Sequence, residues 1–359
     1  MPTDPLSPLR LARGPELPNR VLLSPMTNTQ SHVDGTLSDE EFRWLTMRAQ
    51  GGFGLTMTCA SHVMANGQGF PGQLGIWSDA HLPGLTRLAD AIRAAGSLSA
   101  VQLHHAGMRA PPELIGGIPV CPWDDAKTGA RALTTAEVDA VIEAFIVAGL
   151  RAQAAGFDGV EVHGAHGYLL GQFLDGEHNL RDDGFGGSLE HRRCPIDRVI
   201  DGLRARCRPD FQIGLRLSPE RFGMDFGEAL DLAGSLMTAG RIDYLDMSLW
   251  DYAKQPNDAE FAGKRLIDWF AQLPRGEARL GVAGKIMTGA DVRECFAAGV
   301  DFVMIGRGAV LHHDFVHKFA ADSDFTPVAL PVSRQHLADE GLSEPFIGYM
   351  SGWPGFVAA

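Results

Sequence analysis

The 359 residues carry 44 acidic against 31 basic side chains, a net charge of −13, and 45% of them are hydrophobic. That composition excludes fibrous and disordered classes and speaks against a general nucleic-acid binder, which carries a basic footprint. No apolar run approaches the roughly 20 residues that span a bilayer, so no membrane partner is expected.

Along the chain, Met1 to Leu6 has neither a basic start nor an apolar core, and does not read as a secretory leader. A first apolar run, Val21–Leu23, ends in Ser24-Pro25-Met26-Thr27, and a capping-box pattern, Ser38-x-x-Glu41, then opens a helix. Phe53–Cys59 runs into Ala60-Ser61-His62, and helical spacing returns over Ala89–Ala95. Leu98–Leu103 contains Gln102 and leads into His104-His105. The stretch 106–133 holds Pro111, Pro112, Pro119 and Pro122 and is read as a lid loop rather than a packed element. A second capping box, Thr134-x-x-Glu137, starts a helix over Val138–Ala155.

Phe157–Val162 ends at His163-Gly164-Ala165-His166-Gly167-Tyr168, and Arg198–Arg206 is helical. Phe211–Leu217 carries Arg216 at its end; Glu228–Ala239 is again helical. Ile242–Met247 is followed by Trp250 and Tyr252, Arg279–Ala283 by Gly284-Lys285, and Val300–Ile305 by Gly306-Arg307-Gly308. The tail 322–359 is rich in Pro, Gly and aromatics and is expected to pack along the body of the fold or on a neighbouring subunit, so a homo-oligomer stays open. The five cysteines are scattered with no C-x-x-C pair, which fits a reduced, cytoplasmic chain.

Eight short unalternating apolar runs separated by helices predict an α/β fold, a (β/α)₈ TIM barrel in one domain over 1–359. A doubly wound sheet would show G-x-G-x-x-G after the first strand, and Ser24-Pro25-Met26-Thr27 is unlike it. Barrels place their active sites at the C-terminal strand ends, where the unusual residues above gather. The loops after the seventh and eighth strands often bind phosphate, which suits Gly284, Lys285, Gly306 and Arg307. The H-x-x-H of His163 and His166 admits three readings by spacing: donors to a substrate oxygen with Tyr168 as acid, a metal pair, or structural histidines. No cysteine cluster completes a metal site, and none is expected. Of His104 and His105 at most one should line the site; His312, His313 and His317 read as solvated surface, and Met26, Met47, Met57 and Met64 as filler.

Six motifs in order carry a resemblance: Ser24-Pro25-Met26-Thr27, Leu74-Gly75-Ile76-Trp77-Ser78-Asp79, Gln102-Leu103-x-His105-Ala106-Gly107, Gly156-Phe157-Asp158-Gly159-Val160-Glu161-x-His163-x-Ala165-His166-Gly167-Tyr168, Gly186-Gly187-Ser188-Leu189-Glu190 and Ile305-Gly306-Arg307. With them the chain resembles the Old Yellow Enzyme family of FMN-dependent ene-reductases over nearly its whole length. The resemblance implies FMN across the barrel mouth and NADPH or NADH as hydride donor. Pro25, Met26 and Thr27 would cradle the ring, with Ser24 beside them; Ala60 and Gln102 would hold it, and Arg216 would sit by its N1 and O2 edge. Gly284, Lys285, Gly306 and Arg307 would bind the phosphate.

A small α,β-unsaturated carbonyl or nitro substrate would then be held through its oxygen by His163 and His166, beside Trp250, while Tyr168 protonates Cα. Departures are Asp175-Gly176-Glu177-His178-Asn179, Phe185 and His191, all bordering the implied site. A substrate dehydrogenase or oxidative demethylase on the same scaffold, and more remotely a metal hydrolase, are the competing readings.

Overall fold

The computed structural model describes residues 3–358; Met1 and Pro2 of the N-terminal stretch and Ala359 of the tail lie outside them. Among the described residues there are ten strands: β1 Val21–Leu23, β2 Leu55–His62, β3 Leu98–His104, β4 Val120–Cys121, β5 Arg131–Ala132, β6 Gly159–Gly164, β7 Gln212–Leu217, β8 Tyr244–Ser248, β9 Arg279–Ala283 and β10 Phe302–Ile305. Eight of them form one parallel sheet in the order β1-β10-β9-β8-β7-β6-β3-β2, and β1 lies back against β2 to complete a (β/α)₈ barrel. All eight expected apolar runs fall on these strands.

Side-chain alternation sorts the strands into an inner and an outer face. Val21 and Leu23 of β1 join the outer core beneath the helices, whereas Leu22 joins Leu55, Met57, Ala100, Phe302 and Met304 inside. The rings of Tyr244 and Phe302 meet edge to face across the interior with centroids 5.6 Å apart. They fit because β7 and β9 present Gly214 and Gly281, where a methyl group would overlap each ring. Leu9, Leu11 and Leu17, in an N-terminal turn closed by a Leu9–Leu17 bridge, belong to the same cluster. The apolar end of the barrel is thereby filled, and the other end is left polar.

Local capping follows the sequence once fully and once only in part. Thr134 accepts the Glu137 N–H while its own N–H reaches the Glu137 carboxylate at 2.8 Å, a complete box before the helix Thr135–Ala154. Ser38 accepts the Glu41 N–H at 3.0 Å, but the Glu41 carboxylate does not turn back. It is fully buried instead, taking bonds from the Asn28 amide at 2.9 Å and the Ser31 hydroxyl. Glu41 thus pins the loop that follows β1.

Two further expectations are corrected. The stretch 106–133 is packed: β4 pairs with β5, and Val120, Cys121, Ala130 and Leu133 are buried. Arg181 ties it down by donating to the carbonyls of Pro122 and Leu133 at 2.9 and 2.5 Å. His312 is buried, its Nε2 accepting the Val328 N–H at 3.0 Å, and His313 pairs with Glu340 at 2.7 Å; only His317 is exposed. The tail folds into the helices Arg334–Asp339 and Glu344–Ser351, and Phe346 packs edge-on against Trp44 at 5.4 Å.

Candidate active site

Above the apolar plug, four polar side chains turn into the barrel from adjacent strands: Gln102, Glu161, Arg216 and Asp246. Register sets them side by side, Gln102 opposite Glu161 and Arg216 opposite Asp246. Gln102 Nε2 donates to Glu161 at 2.8 Å. Arg216 approaches Asp246 at 3.1 Å, without the alignment of a hydrogen bond, and donates through Nη2 to Ser24 at 3.2 Å. Both carboxylates are fully buried. Burial, with Asp246 adding repulsion, pushes the Glu161 carboxyl up to about 8.

One step further up β6, His163 Nδ1 accepts the Ala165 N–H at 3.2 Å, which leaves the hydrogen on Nε2. That Nε2 faces His166 Nδ1 at 3.2 Å. His166 sits in left-handed backbone, φ 61°, with its own N–H on the Ser218 hydroxyl at 2.9 Å, and its Nε2 lies 2.7 Å from Ser248 Oγ. Burial first, then the nearby cations, hold both imidazoles well below their ordinary range, so both are neutral. Tyr168 packs edge-on to His104 at 4.4 Å and His163 at 5.2 Å, and burial raises its phenol.

These groups open into one cavity of about 710 Å³. Ser24, Pro25, Met26, Thr27, Ala60, Gln102, His163, His166, Tyr168, Arg216, Trp250, Gly284, Lys285, Gly306 and Arg307 all line it. Other residues from the strand ends do not. His62 is turned to the Met64 carbonyl at 2.9 Å, and Tyr252 is held by Asp291 and Glu294 at 3.0 and 2.9 Å. His104 and His105 are both buried, and neither lines the cavity: His104 Nδ1 meets the Gln73 amide at 3.1 Å, and His105 Nδ1 accepts the Gly107 N–H at 3.0 Å. Met26, filler by residue type but part of the ring cradle by resemblance, lies in the wall.

Sequence reasoning missed several lining residues. Ser248 ends β8, and its only signal was its position one step before the loop. Arg109 and Arg221 stand in loops that have no period to read. Phe346, Tyr349 and Trp353 arrive from the tail, whose aromatic content was the one hint. Among the described residues, the trio with metal-ligand spacing is His312, His336 and Glu340, away from this cavity. Its two imidazoles each commit a ring nitrogen, to the Val328 N–H and the Leu311 carbonyl.

The cavity suits a flat molecule with a phosphate. Its wall offers Arg216, Lys285 and Arg307 and no Asp or Glu, and a methyl on Gly306 would come within 3.3 Å of Met26 Sδ, so the bare backbone there keeps a slot open.

Comparison with known proteins agrees with this shape. Residues 6–321 match the model of the NADH:flavin oxidoreductase / NADH oxidase family. The chain is 34% identical over 311 residues to the probable NADH-dependent flavin oxidoreductase YqiG of Bacillus subtilis, covering 84% of this chain and 83% of that one. It is 33% identical to an NADPH dehydrogenase of Bacillus licheniformis, covering 89% and 95%. Two other relatives are longer, and the chain spans about a third of their length. Among solved structures, morphinone reductase in complex with tetrahydroNAD superposes with a TM-score of 0.78 at 25% identity, over 95% of this chain and 97% of that one.

Proposed function

The chain belongs to the NADH:flavin oxidoreductase / NADH oxidase family, that of Old Yellow Enzyme, and on that footing we propose that it reduces the activated C=C bond of α,β-unsaturated carbonyl or nitro compounds. As a member it is an FMN-dependent oxidoreductase that draws hydride from NADH or NADPH. Bound FMN supplies a carrier that takes up hydride and gives it on. In this reading Ser24, Pro25, Met26, Thr27 and Ala60 hold the ring, Gln102 and Arg216 its polar edge, and Gly284, Lys285, Gly306 and Arg307 the phosphate. Barrel, packed 106–133 segment and tail then act as one catalytic unit.

The observation that carries the substrate class is the pair of imidazoles. His163 Nε2 and His166 Nδ1 converge at 3.2 Å, both rings neutral; a substrate oxygen there would receive the His163 Nε2–H and, with the His166 hydrogen on Nδ1, a second bond from His166. Such bonds strengthen as charge builds on the oxygen, and removal of one donor costs on the order of 10²–10³ in rate. Tyr168 keeps its hydroxyl protonated through burial and stands beside His163, so it can deliver the proton to Cα. Trp250 closes the same wall, its ring edge-on to His166 at 5.9 Å.

Anaerobic spectroscopy of FMN-reconstituted protein tests this: NADH or NADPH bleaches the flavin band, and 2-cyclohexenone restores it with formation of cyclohexanone. Bleaching by an amine or alcohol but by neither nicotinamide would instead establish a substrate dehydrogenase.

A further inference from the structure

We propose that Arg109 and Arg221 form an anion-binding subsite beside His166, which takes a carboxylate or phosphate carried by the molecule bound there. The inference rests on the reading above and adds the charge of the ligand.

The first ground is a local inversion of charge. Acids outnumber bases 44 to 31 in the chain, yet five Arg and Lys side chains line the cavity and no Asp or Glu does. The second is the partners of those cations. Arg216 meets Asp246 and Lys285 meets Asp251 at 2.7 Å, whereas Arg109 and Arg221 meet no carboxylate within 4.0 Å among the described residues. The carboxylate next in sequence to Arg221, Glu220, is spent on Lys254 and on the Asn257 N–H at 2.7 Å.

The third ground is positioning. Arg109 donates to the His166 carbonyl at 2.6 Å, and its guanidinium lies 4.6 Å over the Tyr168 ring. Arg221 lies 5.0 Å over Trp250. A guanidinium laid on an aromatic face keeps its N–H edge free for a planar or tetrahedral anion. Arg109 thus contacts His166 directly and Arg221 adjoins it through Trp250, whose ring lies 5.9 Å from the imidazole, each cation held by the ring it covers.

The fold spends strain to place Arg221. Arg221 and Phe222 are consecutive left-handed residues, φ 72° and 55°, and Trp250 has φ 62°; side chains rarely adopt such backbone unless the surroundings hold it. The holding is done by Asp175-Gly176, one of the departures from the family pattern. Gly176 N–H donates to the Gly223 carbonyl at 2.9 Å, and the buried Asp175 carboxyl occupies the space a side chain at Gly223 would need. Asp175 is itself fixed by the N–H groups of Glu177 and His178 at 2.8 and 2.9 Å.

The anion has two sources, an acid group on the alkene or the phosphates of the nicotinamide donor, and they separate by experiment. On the oxidised holoenzyme, binding of 3-oxocyclohexane-carboxylate is compared with cyclohexanone, and binding of NADPH and NADH with nicotinamide riboside, in wild type, Arg109→Gln, Arg221→Gln, the double variant and the double Arg→Lys variant. Wild type should favour at least one anionic probe by about tenfold or more, the preference shrinking with salt. It should collapse in the double Gln variant and survive in part in the double Lys variant. Loss confined to the carboxylate assigns the subsite to the alkene; loss confined to the nucleotides assigns it to the donor. A wild type without preference, or a double Gln variant that keeps it, overturns the proposal. If the double Gln variant loses FMN, the two single Gln variants carry the comparison, and a preference undiminished in both overturns the proposal. A wild type that reduces cyclohexenone without anion preference refutes only this inference, and one that prefers anions but reduces no enone refutes only the proposed function.

Discussion

The hydroxyl of Ser248 at the end of β8 lies 2.7 Å from Nε2 of His166, and Arg216 Nη2 approaches the same oxygen at 3.5 Å. A hydroxyl oxygen has two lone pairs, so Ser248 accepts from Arg216 and from the His166 Nε2–H together, which leaves His166 Nδ1 bare to accept the His163 Nε2–H. The His166 hydrogen thus stands on Nε2, and it moves to Nδ1 only when Ser248 turns its own hydrogen toward Nε2. One serine therefore decides whether the cavity holds two donors or one.

Replacing Ser248 by Ala should release His166 to either tautomer and slow alkene reduction by about tenfold, while Ser248→Thr, with its hydroxyl, restores most of the rate. The imidazole ¹⁵N shifts report the tautomer directly. An unchanged tautomer in the Ala variant would refute the assignment.

Tyr168→Phe removes the proposed proton donor. Reduction of the enzyme by NADPH should continue, and alkene reduction should fall by about 10²-fold or more in stopped-flow traces. Since burial lifts the Tyr168 phenol above its ordinary value of 10, the wild-type alkene step should show no alkaline loss between pH 7 and 9. Equal slowing of both half-reactions would remove Tyr168 from the proton step.

Glu161 makes a testable contribution to stability. Its folded-state pKa of about 8 exceeds the ordinary carboxyl value of 4.5, so the folded state binds the extra proton between those values. Its share of stability is present below pH 4.5 and is lost as pH rises through 8, an effect on the order of 5 kcal/mol. Glu161→Gln keeps an oxygen for the Gln102 amide and carries no charge, so it should gain on wild type in urea unfolding at pH 9 relative to pH 5. Parallel pH profiles for the two proteins would contradict this.

Arg48 connects barrel and tail. The buried guanidinium donates to the Glu340 carbonyl at 2.7 Å and to the Ala309 carbonyl at 2.9 and 3.1 Å, and lies 4.3 Å over Trp44. Burial lowers its pKa to about 9. Arg48→Met leaves those carbonyls without donors at a cost of about 2 kcal/mol, and the helix Glu344–Ser351 should exchange amide hydrogens faster. Since Phe346, Tyr349 and Trp353 of that region line the cavity, ligand binding should weaken with it. Unaltered exchange in this helix would show that Arg48 does not hold the tail.

The amino-acid sequence alone determined the barrel and most of its mouth. A strand buried on both faces must be an uninterrupted apolar run, so the eight strands announced themselves locally. Residues at their C-terminal ends follow from register, which is why spacing alone gathers Gln102, His163, His166, Arg216, Lys285 and Arg307 at one end of the barrel. Only the tertiary structure decided what closes over that mouth. Arg221 sits in a segment with no hydrophobic period. Phe346, Tyr349, Met350 and Trp353 keep helical spacing, but where that helix lies depends on docking. The two places depend on Asp175 and Gly176 and on Arg48, far away in the chain. Glu41 shows the same limit at short range. Its spacing satisfied a capping box, but the polar groups of Asn28 and Ser31, brought beside it by the fold, outcompeted a solvated bond at the helix end.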